Sequence, residues 1–270
     1  MEAYNIIERH YTETYDEDRH LSSREGQVDF FVTFTWIERV IASLCSELGK
    51  KALNILEIGA GTGAYSLELA RQCHHVVASD LLPQHIECIR QRANGTLEAN
   101  VDDARDLSRY EDCSFDVVLC FGPMYHLFSD EDIKAAAFET LRVCRAGGYI
   151  LFTYLPQDSI VISYCLRHGK FSECYGETLS EDFVPAVLPE EIFRGFYIDE
   201  FNKIMKAFGN LTHLHTVATD GLSRQLREHV GALSDEDFEL WKQYCLLTCE
   251  KPELQGFSNH ILWIGRKNTD

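Results

Sequence analysis

The chain has 270 residues, 45% of them apolar, enough to bury one large core or a core with a cap. Lysine and arginine number 25 against 43 aspartate and glutamate, a formal charge of −18, so the averaged field repels phosphate polymers and anionic lipid. No run approaches the ~18 apolar residues that a membrane span requires. Ten cysteines lie mostly within apolar strand or helix patterns, and Met1 opens a polar, tyrosine-rich segment instead of a signal peptide. The expectation is a cytoplasmic protein with reduced thiols, monomeric or homodimeric, without a nucleic-acid or membrane partner.

In chain order, Tyr4, Ile7, Tyr11 and Tyr15 recur at helical spacing, Arg19 continues their face, and 28–44 is an apolar periodic run containing Trp36. Two helices are expected there. Residues 53–58 form an apolar strand running into Gly59-Ala60-Gly61-Thr62-Gly63, with Glu57 two residues before the first glycine, and 65–72 reads as the following helix. A second strand, 74–79, ends in Asp80. Helix 82–93 presents Ile86 and Ile89 on one side and leads into strand 96–100 and the acidic loop Asp102-Asp103-Ala104-Arg105-Asp106, where Asp106 has the character of a helix N-cap. Strand 115–121 runs into Gly122-Pro123-Met124-Tyr125-His126-Leu127. Helix 130–144 is expected to stop at Ala146-Gly147-Gly148, ahead of strand 149–155.

This alternation predicts a doubly wound α/β sheet. Helix 198–208 and strands 211–219 and 260–264 complete it. The stretch 156–196 is far longer than a strand-to-helix connection needs, and its Tyr164, Phe171, Tyr175, Phe183, Phe193 and Phe196, with Tyr197 beyond, fit a cap as well as they fit plain packing on the core. The domain reading is therefore an N-terminal helical lid over 1–48, a nucleoside-binding core over 49–155, a helical cap over 156–197 and the completion of the sheet over 198–270. His213-x-His215 and Cys245-x-x-x-Cys249 each offer two zinc ligands, but pairs alone do not make a tetrahedral site, and no metal is expected.

The glycine turn admits two nucleotide readings. Gly59-x-Gly61-x-x-Ala64 with an acid about twenty residues on satisfies the dinucleotide fingerprint. No tyrosine, however, is followed four residues later by lysine, so the commonest dehydrogenase proton-transfer pair is missing. The form Glu57-x-Gly59-x-Gly61-x-Gly63, together with Asp80 and the acidic loop after the third strand, resembles the first motifs of class I S-adenosylmethionine (SAM) dependent methyltransferases. Phe121-Gly122-Pro123-Met124-Tyr125-His126-Leu127 and Glu139–Gly148 are similar to the small-molecule subset of that family, including uncharacterised bacterial relatives. No Cys-x-x-Cys and no radical-SAM cluster spacing occurs, so SAM would serve as methyl donor.

The resemblance implies a seven-stranded Rossmann-like sheet of order 3-2-1-4-5-7-6 with the last strand antiparallel. It further implies that Glu57 steadies the turn, that Gly59, Ala60, Gly61, Thr62 and Gly63 approach the methionine portion, and that Asp80 accepts both ribose hydroxyls. Leu81 and Ala104 would flank adenine, and Asp103, in preference to Asp102, would accept the exocyclic amine. Cys120 and Phe121 would run beneath the sulfonium. His126, or Tyr125, would orient or deprotonate the acceptor, and Tyr15 and Arg19 would close the site, Arg19 near the SAM carboxylate or else paired with Glu13, Asp16 or Glu17. The activity implied is methylation of a small molecule. A protein or tRNA methyltransferase and a non-catalytic SAM-binding protein are the alternatives: a basic stripe would mark the RNA case and none is seen, and a cap that leaves no second cavity would mark the non-catalytic one.

Overall fold

A computed structural model describes residues 2–14, 19–93, 95, 97–187 and 192–269. The strands are β1 (Asn54–Ile58), β2 (His75–Asp80), β3 (Leu97–Val101), β4 (Phe115–Cys120), β5 (Cys144–Pro156), the two-residue β6 (Gly195–Phe196), β7 (Leu211–Ala218) and β8 (Ile261–Lys267). They form one sheet of order β3-β2-β1-β4-β5-β8-β7, with β6 paired to β5 off that path. With the short β6 set aside, this is the expected order. The β7 and β8 edge is antiparallel: Asn268 N–H donates to Asn210 O at 2.8 Å while Thr219 N–H donates to His260 O at 3.2 Å, so the numbers run in opposite senses.

The central strands are parallel and covered on both faces, which is why they are mostly apolar; all six residues of β4 are buried, Asp116 among them. Their register sets up the site. Ile58 pairs with Ser79 on one side and with Cys120 on the other, so the next residues of the three strands, Gly59, Asp80 and Phe121, emerge level at the carboxyl edge. On β3, Val101 pairs with Asp80 and brings the acidic loop to the same edge. The crossover helix Pro83–Arg92 seats Ile86 and Ile89 in an apolar cluster with Ala60, Ala78 and Ala99, as their spacing predicts.

One expectation fails. Ala146-Gly147-Gly148 is not a helix stop, because the helix Asp130–Val143 ends earlier, with Cys144 already extended at φ −73° and ψ 134°. β5 starts there, pairs Cys144 with Phe115 and Tyr149 with Val117, and so loops out its glycines as a bulge. A Cβ on Gly148 would stand 2.7 Å from the carbonyl oxygen of Asp116, so the glycine permits a close backbone approach. Beside it the buried Asp116 carboxylate accepts from Asn54 N–H (2.9 Å), Arg145 Nε (2.7 Å) and Lys50 Nζ (3.3 Å), tying the start of β1 to β4 and the bulge.

The chain divides into two compact units, one of residues 34–153, 202–215 and 263–270, which holds the glycine turn, and one of residues 1–33, 154–201 and 216–262. Within the second, Tyr154 stacks on Phe201 at 4.2 Å and meets Phe196 edge-on at 5.9 Å, while Cys165, Cys174 and Leu179 form a separate apolar cluster. Of the aromatic residues assigned to the cap, Phe196 is buried, whereas Tyr164, Tyr175, Phe183 and Tyr197 are exposed. The same unit contains a buried polar knot: Asp220 accepts from Ser258 Oγ at 2.6 Å and Asn259 N–H at 2.7 Å, and His260 Nδ1 lies 3.0 Å from Asp29 Oδ2. The N-terminal segment is helical over Glu2–Arg9 and again over the long Arg24–Leu48, with shorter turns between.

Candidate functional site

The site grows from the turn after β1. Gly59 has φ 76°, and a Cβ there would stand 2.1 Å from the carbonyl oxygen of Phe121, so only glycine lets the turn pass beneath the end of β4. Gly63, at φ 87°, faces the Ile89 side chain at 2.9 Å in the same sense. The close approach at these two positions is therefore to the chain itself. The N–H groups of the turn are also engaged internally: Gly59 and Ala60 donate to Ser79 O at 2.8 and 2.9 Å, Gly61 donates to Asp80 Oδ2 at 2.9 Å, and Gly63 donates to Ala60 O at 2.9 Å. The Thr62 carbonyl accepts from Arg92 Nη1 at 3.1 Å.

Glu57 reaches across this turn. Its buried carboxyl accepts from the Ser66 hydroxyl and from Ser66 N–H, in the first turn of the helix Ala64–Arg71. An acid thus fills the N-terminal end of the helix that a dinucleotide fold would offer to pyrophosphate. Burial pushes Glu57 up to about 7, against the pull of the Ser66 hydrogen bonds.

Asp80, at the end of β2, is held by three donors. Gly61 N–H serves Oδ2, while Leu82 N–H at 2.9 Å and His85 Nδ1 at 3.0 Å both meet Oδ1. Leu81 beside it is half-buried and Ala104 is buried. The two loop acids differ. Asp102 is 6% exposed and committed to Tyr110 Oη at 2.6 Å and Arg109 Nε at 3.0 Å, whereas Asp103 is 33% exposed, with its carboxylate shared with Arg105. Asp106 starts no helix; its Oδ1 accepts from Ser108 N–H at 3.1 Å, closing a turn.

At the end of β4, burial pushes the Cys120 thiol up to about 12, so it stays protonated. Phe121 packs edge-on to Tyr65 at 5.4 Å. Gly122 N–H donates to Thr153 Oγ1 on β5 at 3.2 Å, and the hydroxyl of Tyr125 lies 3.7 Å from where a Cβ on Gly122 would stand. His126 follows the single turn Pro123–Tyr125, half-buried, with its ring 4.8 Å from that of Tyr125. The fold thus gathers Glu57, the glycine turn, Asp80, the acidic loop and Cys120–Tyr125 at one sheet edge. Tyr15 lies outside the described residues, and Arg19 opens the short helix Arg19–Ser22. The two zinc-ligand pairs are spent elsewhere: His213 stacks on Trp263 at 5.2 Å, His215 packs against Trp36 at 4.6 Å, and Cys245 Sγ lies 3.9 Å from Ser223 Oγ. Among the described residues no group of three or more histidine, cysteine, aspartate or glutamate side chains can hold a metal ion.

Ser66, His85 and Thr153 were not singled out by the sequence. Nothing in their local pattern separates them from ordinary helix and strand residues. Only the three-dimensional pairing with Glu57, Asp80 and Gly122 does so.

Residues 55–148 match the family described as Methyltransferase domain. Glycine/sarcosine N-methyltransferase of Parasynechococcus marenigrum is 26% identical over 166 residues, 59% of this chain and 55% of that protein. The chain spans about half the length of the curated relatives it matches. Among solved structures, a SAM-dependent methyltransferase of Thermotoga maritima, described as a possible histamine N-methyltransferase, superposes with a TM-score of 0.57 at 17% identity, covering 98% of this chain and 100% of that one. A Burkholderia thailandensis 1,6-didemethyltoxoflavin-N1-methyltransferase, with 1,6-didemethyltoxoflavin and S-adenosylhomocysteine bound, gives a TM-score of 0.57 at 14% identity over 99% of this chain and 90% of that one. The fold is that of SAM-dependent methyltransferases. No helix among the described residues is long and apolar enough to cross a membrane.

The buried acid makes stability pH-dependent in a stated direction. Because the folded-state value of Glu57 lies near 7 and its ordinary value is 4.5, the native protein binds more protons than the unfolded chain between those limits. Its contribution is fully present below the lower value and is lost as pH rises through the upper one, a change of about 3 kcal/mol. Glu57→Gln removes that slope. Urea denaturation of both proteins at several pH values should show wild type losing stability relative to the variant as pH rises, and parallel profiles would contradict the assignment.

Proposed function

We propose that this chain, whose residues 55–148 match the methyltransferase domain family, is a class I SAM-dependent methyltransferase that methylates a small molecule. The observation that carries the reading is the polarity of the glycine turn. The N–H groups of Gly59, Ala60 and Gly61 serve Ser79 and Asp80, and Glu57 occupies the following helix N-terminus, so the turn keeps few of the donors that a pyrophosphate needs. SAM, whose sulfonium and ammonium outweigh its one carboxylate and whose nucleoside is uncharged, fits such a surface; an anionic dinucleotide does not.

When bound, SAM supplies an activated methyl group, transferred in line, the acceptor–carbon bond forming as the carbon–sulfur bond breaks. The protein's task is to align donor and acceptor and to exclude water. Asp80 anchors the ribose. Leu81 and Ala104 flank the adenine, and Asp103 accepts its amino group, which is supported by the burial of Asp102 against Tyr110 and Arg109. The backbone at Cys120 and Phe121 underlies the sulfonium. Tyr125 and His126 stand on the acceptor side, His126 as the base that takes the acceptor's proton and Tyr125, with its hydroxyl over Gly122, as the group that orients it. A small acceptor agrees with the formal charge of −18, which disfavours nucleic acid, and with the small molecules named for a relative and a structural neighbour, glycine or sarcosine and 1,6-didemethyltoxoflavin. A reducing, cytoplasmic setting is supported by the ten cysteines standing as free thiols.

Calorimetric titration with S-adenosylhomocysteine separates binding from chemistry. Asp80→Ala, shown to be folded by circular dichroism, should weaken binding by about 2 kcal/mol, the scale of hydrogen bonds to a charged group. Unchanged affinity, or tighter binding of NAD, would overturn the reading. His126→Ala should bind S-adenosylhomocysteine as wild type does and lose about 10²–10⁴-fold in turnover on a methylated acceptor, the usual scale of general-base catalysis. Unchanged turnover would remove His126 from the chemistry.

A further inference from the structure

The helix Asp235–Thr248 has two unlike faces. Phe238, Cys245 and Thr248 are buried, and Arg24 fastens the helix start, its Nη2 donating to Asp235 Oδ1 at 2.8 Å and its guanidinium lying over the Phe238 ring at 4.7 Å. The other face carries Leu240, Tyr244 and Leu247 at positions i, i+4 and i+7, which align in one stripe. They are 64%, 50% and 79% exposed, on a face where a surface helix ordinarily places polar residues. A lone exposed leucine needs no explanation, whereas a contiguous apolar stripe marks an interaction surface. Tyr244 is also held in place: its ring stacks on Trp241 at 5.4 Å, and Trp241 Nε1 donates to Ser223 Oγ at 2.9 Å. A fixed aromatic ring between two leucines offers contact area at little cost in side-chain entropy.

The rim of the stripe fixes the chemistry of what covers it. Glu236 and Glu239 flank it on one side and Asp237 on the other, all three exposed. Lys242, the one base of the helix, is only 17% exposed; it pairs with Glu239 at 2.8 Å and lies over the rings of Phe31 and Phe238 at 5.2 and 5.3 Å. A second copy of the chain would answer this rim with the same acids and bring its own formal charge of −18. We propose that the stripe is a docking surface for a partner protein, taking an amphipathic helical segment whose apolar face is edged by lysine or arginine. The partner's apolar residues cover Leu240, Tyr244 and Leu247, and its bases meet Glu236, Asp237 and Glu239. The helix carries none of the residues assigned to SAM or to the acceptor, so the inference stands apart from that reading.

Two synthetic peptides of about 18 residues, long enough to form a helix, test this by fluorescence anisotropy with the full chain. Both carry the same leucine stripe, edged by lysine in one and by glutamate in the other. The lysine-edged peptide should bind, more weakly as salt rises, and the glutamate-edged peptide should bind at least about tenfold more weakly. Leu247→Gln, an uncharged change at an exposed position, should weaken the lysine-edged peptide about tenfold or more, the scale of burying one leucine side chain. Leu240→Gln should act in the same direction, and Glu236→Gln combined with Glu239→Gln should flatten the salt dependence. Equal affinity for the two peptides, no binding of the lysine-edged one, or binding that Leu247→Gln and Leu240→Gln leave unchanged would overturn the proposal. So would a dimer in sedimentation equilibrium that Leu247→Gln dissolves, because a second copy would then be the occupant.

Discussion

The alignment of three strand ends is the constraint on which the site depends. Ile58 sits level with Ser79 and with Cys120, so Gly59, Asp80 and Phe121 leave the sheet side by side. A one-residue slip in any of these pairings would turn its side chains to the opposite face and carry Asp80 away from the turn. The Asp80 carboxylate then fastens the edge, bonding the turn after β1 through Gly61 and the helix after β2 through Leu82. The acid proposed as ligand anchor is thus also a structural tie. The turn is consequently built before any ligand arrives, which lowers the ordering cost of binding.

The second decision is electrostatic. Strand, glycine turn, helix and distal acid are shared by dinucleotide and SAM sites, and the glycine spacing alone does not separate them. What separates them is the hydrogen-bond acceptor that fills the helix N-terminus. Glu57, buried and bonded to Ser66, puts an acid where a phosphate would otherwise be received, and the amides of Gly59, Ala60 and Gly61 are turned inward to Ser79 and Asp80. Raising the Glu57 carboxyl to about 7 is the cost of burying it there.

Much of the sheet was legible because its central strands are buried on both faces and are therefore mostly apolar, a pattern that 53–58 and 115–121 display apart from Asn54, Glu57 and Asp116. The strand order was carried by the resemblance, since apolar runs do not say which strand lies beside which. Glu57, Asp80 and the loop acids could be picked out by their positions relative to glycines and strand ends. The glycines at 147 and 148 misled, because a helix stop and a strand bulge use the same residue for the same backbone freedom, and only the neighbouring Asp116 carbonyl decides between them. His85 was hidden for a related reason: its pairing with Asp80 depends on how the helix is seated on the sheet, which no local pattern encodes.

The central claim is that this edge holds SAM. Native mass spectrometry of the purified chain, first as isolated and then with SAM and NAD added together, tests it without knowledge of the acceptor. The account predicts that the chain carries SAM or S-adenosylhomocysteine, or takes up SAM in preference to NAD. A chain that carries or selects NAD, or that forms no complex with added SAM, would contradict it.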